Sequence, residues 1–344
     1  MARQGVRAAF MVSVLRFLLT SGLTWAALGL HLAVCACYLR RWDKMAAITV
    51  FPFWAWGLVG AAMAGIAFLA GRRRLSASVA CLWLATILVG SDETRPVLRF
   101  YAEKPQPGAP AAVGKVKPLR LVTLNCRAGM WRPDALRDIE PWQPDIVLLQ
   151  ESPVPLELQK FTARLYGEGS GSWAGGSNCG IVARGRILDT LTGYQPYSIL
   201  GTVETSPGKF LEVACVHLQG AETDVKLWTR DAFRSHYYNR QSRRSELVRL
   251  LSVQRFISRQ HPAIVGGDFN APAGDAVFDM LKNQGFRDAF AEAGSGWPDT
   301  YPGAAPMLRI DHLWVNAPVV PLRAAAIKAE HSDHCMVVCD FQIP

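Results

Sequence analysis

The sequence predicts a layered α/β domain preceded by a membrane-spanning segment. Three observations carry this. Three long apolar stretches fill the N-terminal third, a Pro/Gly-rich segment follows, and thereafter short β-rich runs alternate with amphipathic stretches. The chain has 344 residues, 50% of them hydrophobic and 19% charged. That excludes a disordered or collagen-like polymer and allows one large domain or two smaller ones. The formal net charge of +9 is unevenly spread: residues 1–104 hold 12 Lys and Arg against 4 Asp and Glu, which leaves 25 against 24 for the rest. The basic pI therefore belongs to the N-terminal third and is no argument for a polyanionic partner.

The apolar stretches are Phe17 to Leu39, Met45 to Ala70 and Leu75 to Gly90. A bilayer-spanning helix needs about 20 apolar residues, which the first two supply and the third approaches. The connections, Arg40-Arg41-Trp42-Asp43-Lys44 and Gly71-Arg72-Arg73-Arg74, are short and charged, with Tyr38 and Trp42 where an aromatic belt lies. A secretory signal has one short apolar region, so three in succession read as three membrane helices. Orientation stays open. An N-terminus inside puts Arg3, Arg7, Arg16 and Arg72 to Arg74 in the cytoplasm; the reverse puts Arg40, Arg41, Lys44, Arg95, Arg99 and Lys104 there.

The expected division is residues 1–95 as three transmembrane helices, 96–118 as a linker and 119–344 as the catalytic domain. From Lys104 to Lys117 the composition turns to Pro, Gly, Ala and Lys, which reads as a semi-rigid extended tether. Beyond it, strands are expected at Leu119 to Leu124, Ile146 to Leu149, Leu211 to Val216, Ala263 to Val265, Ile310 to Val315 and Met336 to Phe341, and a helix within Arg243 to Arg259, with Leu247, Leu250, Leu251 and Phe256 near helical spacing. This pattern places a site along one sheet edge. Cys35, Cys37 and Cys81 lie in apolar runs. Cys126, Cys179, Cys215, Cys335 and Cys339 show no CxxC spacing, so neither a metal knuckle nor a full disulfide framework is expected.

Polar groups stand directly at the ends of these runs. Asn125 follows Leu121-Val122-Thr123-Leu124, Glu151 follows Ile146 to Gln150, and His217 ends Val213-Ala214-Cys215-Val216. Asp268 and Asn270 follow Ala263 to Gly267, Asp311 and His312 lie in Arg309 to Trp314, and Ser332-Asp333-His334 precede the last strand. Singly, each is ordinary turn chemistry or a core histidine. Together they gather carboxylates, carboxamides and imidazoles without a cysteine cluster, a hard-oxygen set that suits Mg²⁺, with Mn²⁺ as the alternative, beside groups able to move protons and neutralise charge at a phosphoryl centre.

These elements resemble the endonuclease/exonuclease/phosphatase (DNase I-like) superfamily. Thr123-Leu124-Asn125, Leu149-Gln150-Glu151, Val216-His217-Leu218, Gly267-Asp268-Phe269-Asn270, Arg309-Ile310-Asp311-His312 and Ser332-Asp333-His334 occur in its order, over Leu119 to Pro344. That group includes proteins similar to secreted DNase, abasic-site endonucleases, sphingomyelinases and inositol polyphosphate 5-phosphatases. The resemblance implies a four-layer α/β sandwich. It also implies Glu151 as the principal Mg²⁺ ligand, with Asp333 and Asn125 as metal or water-bridged partners. Asp268 would orient or deprotonate the attacking water, and Asn270 would hold a phosphate oxygen. His334, oriented by Asp311, would neutralise charge or act as base, and His217 would contact the phosphate or help the leaving group. Asn178 and Arg184 resemble a family strand beside the site, with a structural turn as the other reading. His312 reads as packing or as a residue supporting the site from behind, and His331, His236 and His261 as surface or loop residues. Cys335 departs from the larger polar residue common at its position.

The reading that follows is a multi-pass, Mg²⁺-dependent phosphoesterase cleaving a phosphodiester or phosphomonoester, with the bilayer and a phosphate ester as partners and no obligate protein partner called for. Its substrate is nucleic acid or, alternatively, a phospholipid headgroup or sugar phosphate; Lys226 to Arg249 offers a local basic patch. The rival from another class is a catalytically inactive membrane binding module.

Overall fold

The computed structural model describes residues 2–71, 73–110, 112, 117–127, 133–175, 178–192, 197–220, 225–253 and 261–343. Arg72, Ser177, Phe256, Arg259 and linker positions 111 and 113–116 lie outside the described residues. Two compact units emerge, Met1–Thr94 and Arg95–Pro344.

The first unit contains helices α1 (Ala2–Arg40), α2 (Ala46–Thr49), α3 (Phe53–Leu69) and α4 (Arg73–Gly90). Thr20–Arg40 and Arg73–Gly90 are each long and apolar enough to cross a membrane, and Asp43–Thr49 with Phe53–Leu69 makes a third candidate bent by 68°. The run from Met45 to Ala70 is therefore not the single helix its composition predicts. Pro52 lacks an N–H and disfavours helix at Phe51, so the chain restarts at Phe53 with Pro52 in extended conformation as the cap. Small residues let the helices close: a Cβ on Gly60 would stand 2.0 Å from the Trp83 indole. That indole donates to the Ala27 carbonyl at 3.1 Å, and Thr24–Ser76 (2.8 Å) and His31–Thr86 (2.9 Å) pair α1 with α4.

Helix α5 (Thr94–Leu98) opens the connection to the α/β unit. The described part of that connection is not a free tether. Arg99 donates to the Ala291 carbonyl at 2.7 Å and its own carbonyl accepts from Ser295 Oγ at 2.7 Å. Arg120, 1% exposed, grips the carbonyls of Gln106 (2.6 Å) and Gly108 (2.7 Å) while its Nε donates to Asp340 at 2.6 Å. A guanidinium buried against a carboxylate and backbone oxygens satisfies both its charge and its donors, which a solvated linker would not supply.

Two six-stranded sheets form the second unit. In the first, β1 (Leu119–Asn125), β2 (Ile146–Gln150), β3 (Ser172–Gly175), β4 (Cys179–Ala183), β11 (Val320–Lys328) and β12 (Cys335–Gln342) lie in the order β11-β12-β1-β2-β4-β3. In the second, β5 (Arg186–Thr192), β6 (Ser198–Ser206), β7 (Lys209–His217), β8 (Ala263–Asp268), β9 (Arg287–Asp288) and β10 (Asp311–Val315) lie in the order β5-β6-β7-β8-β10-β9. Among the described strand pairs, only the central ones, β1–β2 and β7–β8, run parallel.

Alternation along the strands builds the layers. Leu121, Ile146, Leu148 and Ile181 face Val213, Cys215, Ile264 and Leu313 between the sheets. Val122, Leu124, Val147 and Leu149 point outward beneath α6 (Ala135–Ile139) and α7 (Pro155–Tyr166), where Leu136, Ile139, Leu158 and Phe161 cover them. Ala214, Val216, Val265 and Trp314 point outward on the other side, beneath Leu247 and Leu250 of α8 (Arg230–Leu251) and Leu281 of α9 (Asp279–Asn283). A further short helix, α10 (Ala289–Ala293), adds Ala289 and Phe290 to the inner layer. Strands buried on both faces read as unbroken apolar runs, which is why the central ones were legible.

Helix α8 begins well before the expected Arg243, because the Thr229 hydroxyl caps it by accepting from Ala232 N at 3.3 Å. His236 is consequently not a surface or loop residue: it lies buried on the face of α8 that also carries Ala232, Arg240, Arg243 and Leu247. His312 is packing, as expected. It sits among Phe269 and Phe278, bonds the Ala271 carbonyl at 3.0 Å, and burial, reinforced by Arg309, lowers its pKa to about 4. The unfolded chain takes up this proton first. Stability is thus full above pH 6.5 and drains as pH falls toward about 4. In detergent-solubilised full chain, His312→Gln should flatten the acid limb of the unfolding free energy by roughly 2–4 kcal/mol relative to the wild type between those limits. Parallel acid limbs in pH-dependent denaturation would contradict this.

Candidate active site

The alternation that fills the core also delivers the polar residues. Continuing the inward-facing positions by one step brings Asn125 after Thr123, Gln150 after Leu148, His217 after Cys215, Asp268 after Gly266 and Asp311 before Leu313 to the open end of the inter-sheet space. The site spans the strand ends of both sheets and does not follow an edge of one. His217, Asp268 and Asp311 are direct neighbours in register on β7, β8 and β10, which sets their side chains on one face. From the facing sheet, Asn125 Nδ2 donates to Asp268 Oδ2 at 3.1 Å and to Glu151 Oε1 at 3.3 Å.

Asp268 is the hub. Its Oδ1 accepts from Asn270 N at 2.8 Å, while its Oδ2 lies 3.7 Å from His217 Nε2 and 4.0 Å from His334 Nε2. Burial and then the neighbouring Asp311 raise its pKa; the two imidazoles and the Asn270 N–H oppose that rise. The imidazoles have different partners. His334 Nδ1 meets Asp311 Oδ2 at 2.9 Å, and although burial works against the cation, Asp311, Asp268 and Asp333 push the pKa up to about 9. His217 Nδ1 bonds Asn178 Oδ1, a neutral amide oxygen, at 2.7 Å. The His334 turn is tied to β1, since Ser332 Oγ donates to the Asn125 carbonyl at 2.6 Å and accepts from His334 N at 3.0 Å.

Backbone strain gathers here. Glu151, Asn270 and Arg127 adopt φ near +47°, three of the five non-glycine residues with positive φ among the described residues. At Glu151 the left-handed turn carries the carboxylate off the end of β2 toward Asn125. Asn270 is held by its amide donating to the Leu218 carbonyl at 2.9 Å.

The donor atoms of Asp268, Asp311 and His334 lie within 4.8 Å of one another, and all three residues are buried. Asp311 Oδ1 is buried without a hydrogen-bond partner. A buried, unsatisfied carboxylate oxygen grouped with a second carboxylate, Asp268, which itself meets the Asn125–Glu151 pair, fits a hard divalent cation, and this group is able to bind a metal.

The structure does not draw every expected residue into that buried group. Asp333 is 39% exposed and its nearest cation is Arg127, 3.9 Å away. Arg184 follows the far end of β4 and pairs with Asp145 at 2.8 Å, while Asn178 precedes its near end at the site. His331 is exposed and pairs with Asp138; His261 is exposed. Cys335 is buried beneath Gly303. The basic stretch from Lys226 to Arg249 is less available than its composition suggests, because Arg240 and Arg243 are buried.

Three contributors escape sequence reasoning. Thr300 Oγ1 accepts from Asp311 N at 3.2 Å, the Tyr301 ring lies 4.9 Å from that of His334, and Gln150 Nε2 bonds Thr123 Oγ1 and the Cys215 sulfur at 3.1 Å each. Thr300 and Tyr301 stand in an irregular loop that carries no periodicity. Gln150 was marked only by its place between a strand and Glu151.

The endonuclease/exonuclease/phosphatase family model matches residues 122–334, from β1 to the histidine paired with Asp311. The chain belongs to the endonuclease/exonuclease/phosphatase family. Its fold is shared by D. rerio TDP2 complexed with single strand DNA product, at 19% identity and a TM-score of 0.50 over 66% of this chain and 100% of that one. A functionally unknown conserved protein from Enterococcus faecalis V583 is similar at 16% identity and a TM-score of 0.50, again over 66% and 100%. The human nocturnin catalytic domain with bound sulfate aligns at 19% identity and a TM-score of 0.48, over 66% and 94%. No curated protein matches the chain. Family membership makes the second unit a hydrolase domain of the phosphate-ester type.

Gly267, directly before Asp268 on β8, stands where the backbone requires a glycine. Its φ is +136°, and a Cβ would stand 2.0 Å from the Val216 carbonyl and 2.9 Å from Gln150 Nε2. Gly267→Ala should cost about 3 kcal/mol or more of stability, from strain and overpacking together. Thermal unfolding of the purified full chain checks this, and an unchanged midpoint would contradict it.

Proposed function

We propose that the second unit hydrolyses a phosphodiester by in-line attack of water with a divalent cation, Mg²⁺ first and Mn²⁺ second, and that the apolar helices of the first unit anchor it in a bilayer. The observation that carries the reading is the placement of Asp268 between two imidazoles with different partners, beside the Asn125–Glu151 pair. Phosphoryl transfer needs little covalent chemistry from a protein; it needs positioning and charge neutralisation, and this arrangement offers both.

Glu151 and Asn125 would hold the cation, with Asp333 able to reach it through water. When bound, the cation supplies charge neutralisation and polarises a phosphoryl oxygen. Asp268, its Oδ1 fixed by the Asn270 N–H, orients the attacking water and accepts its proton as the oxygen–phosphorus bond forms. His334, kept cationic by Asp311, opposes the charge gathering on the phosphoryl oxygens. Asn270 contacts a phosphate oxygen. The ester bond to the opposite oxygen breaks, and His217 assists that leaving group. Nucleic acid is one substrate class. The apolar helices favour the second, a phospholipid headgroup, or a sugar phosphate.

The test is a substrate panel on the full chain in detergent micelles, comprising single-stranded DNA, phospholipid vesicles, sugar phosphates and an activated aryl phosphodiester, each with Mg²⁺ and with EDTA. Turnover should vanish in EDTA, and Glu151→Gln and Asp268→Asn should each lower kcat by ~10³ or more. Hydrolysis that survives chelation rejects the metal. Hydrolysis that survives Glu151→Gln rejects the site, and no turnover on any substrate favours the binding module.

A further inference from the structure

Helix α8 supplies the most conspicuous basic stretch of the α/β unit, yet two of its guanidinium groups point inward. Arg240 is 0% exposed and Arg243 2% exposed. Arg240 Nε lies 3.1 Å from Asp275 Oδ2, and Arg243 Nη2 lies 3.8 Å from the same oxygen. Arg243 Nη1 also donates to the Gln219 carbonyl at 3.5 Å, and Glu246, one turn further along α8, accepts from Gln219 N at 2.9 Å. The other oxygen of Asp275 caps Val277 N at 2.9 Å.

Gln219 and Asp275 each lie on a loop that carries a site residue. Gln219 stands just past His217, and Asp275 closes the loop that begins at Asn270. The two loops already touch: Leu218 N donates to the Asp268 carbonyl at 2.9 Å, and the Leu218 carbonyl accepts from Asn270 Nδ2 at 2.9 Å. Arg243 thus spans the back of a junction whose front holds His217, Asp268 and Asn270.

Buried ion pairs are weak sources of stability, because desolvation offsets most of the attraction, so an apolar side chain would serve packing at least as well here. What an apolar side chain would not do is hold both loops at once, one by a donated hydrogen bond and the other by charge. Both guanidinium groups are buried and turn toward Asp275, away from solvent. We propose that Arg243 is a positioning residue: by bridging Gln219 and Asp275 it fixes the loops bearing His217 and Asn270 against each other, and so sets the leaving-group side of the phosphoryl site. This rests on the phosphodiesterase reading above for its effect on turnover, but not for its effect on geometry.

The experiment compares Arg243→Met with Arg120→Met, both on the full chain in micelles. Arg120 is an equally buried arginine paired with Asp340 at the opposite end of β1 from Asn125. Arg243→Met should lower kcat at least ~10-fold with KM within about threefold of the wild type, whereas Arg120→Met should lower the unfolding midpoint with kcat within about threefold. An Arg243→Met kcat within about threefold of the wild type, or an equal loss in Arg120→Met, overturns the proposal. The imidazole ¹⁵N resonances of His217 give a readout independent of turnover. They should move in Arg243→Met and not in Arg120→Met, and the reverse or no movement also overturns it. A wild type without phosphodiesterase activity whose His217 resonances respond as expected would reject the function and retain the positioning role.

Discussion

Two sheets packed back to back, with strands buried on both faces, impose the constraint on which everything else depends. Each central strand has one set of positions for the inner layer and one for the helix-covered layer, and a slip of a single residue exchanges them. The set that holds Leu121, Leu148, Cys215, Ile264 and Leu313 in the core is the set that presents Asn125, Gln150, His217, Asp268 and Asp311 where the inner layer opens. Packing and chemistry therefore share one register. The large apolar core enforces with its full cooperativity the placement of a few polar groups that would otherwise repel one another.

That shared register explains what the sequence made legible. A polar residue directly at the end of a two-sided apolar run is conspicuous, and six such places marked the site. Strands β3, β5 and β11 were not read because they lie at sheet edges, where one side lacks a partner and polar residues such as Arg323 enter the strand. The start of α8 was hidden for a different reason: its first turns are rich in Arg, Ser and Asn, and only a threonine cap and tertiary burial make them helical. Pro52 was visible inside an apolar run, but composition alone did not weigh its missing donor against hydropathy. Thr300 acts through a contact between distant segments, and no local pattern encodes that.

The two histidines show how one residue type is given two roles by its neighbours. Both present Nε2 to the same Asp268 oxygen, at 3.7 and 4.0 Å. Behind His334 stands a carboxylate that stabilises the imidazolium, and its pKa reaches about 9. Behind His217 stands a carboxamide that can orient the ring but brings no charge. Partner identity thus gives His334 a charged neighbour and His217 one that only orients its ring.

Local charge balance then argues for the kind of ion the site would take. Glu151 and Asp268 both meet the Asn125 amide, and Asp311 meets His334. Asp268 and Asp311 lie side by side in a buried setting where Coulomb interactions are weakly screened, and Asp311 Oδ1 has no hydrogen-bond partner. Protonating Asp268 would lessen their repulsion at the expense of its use as a base, and its raised pKa reflects that pressure. A hard divalent cation held as proposed would relieve the same pressure by favouring the ionised form of Asp268, and so would act on the protein as well as on a substrate.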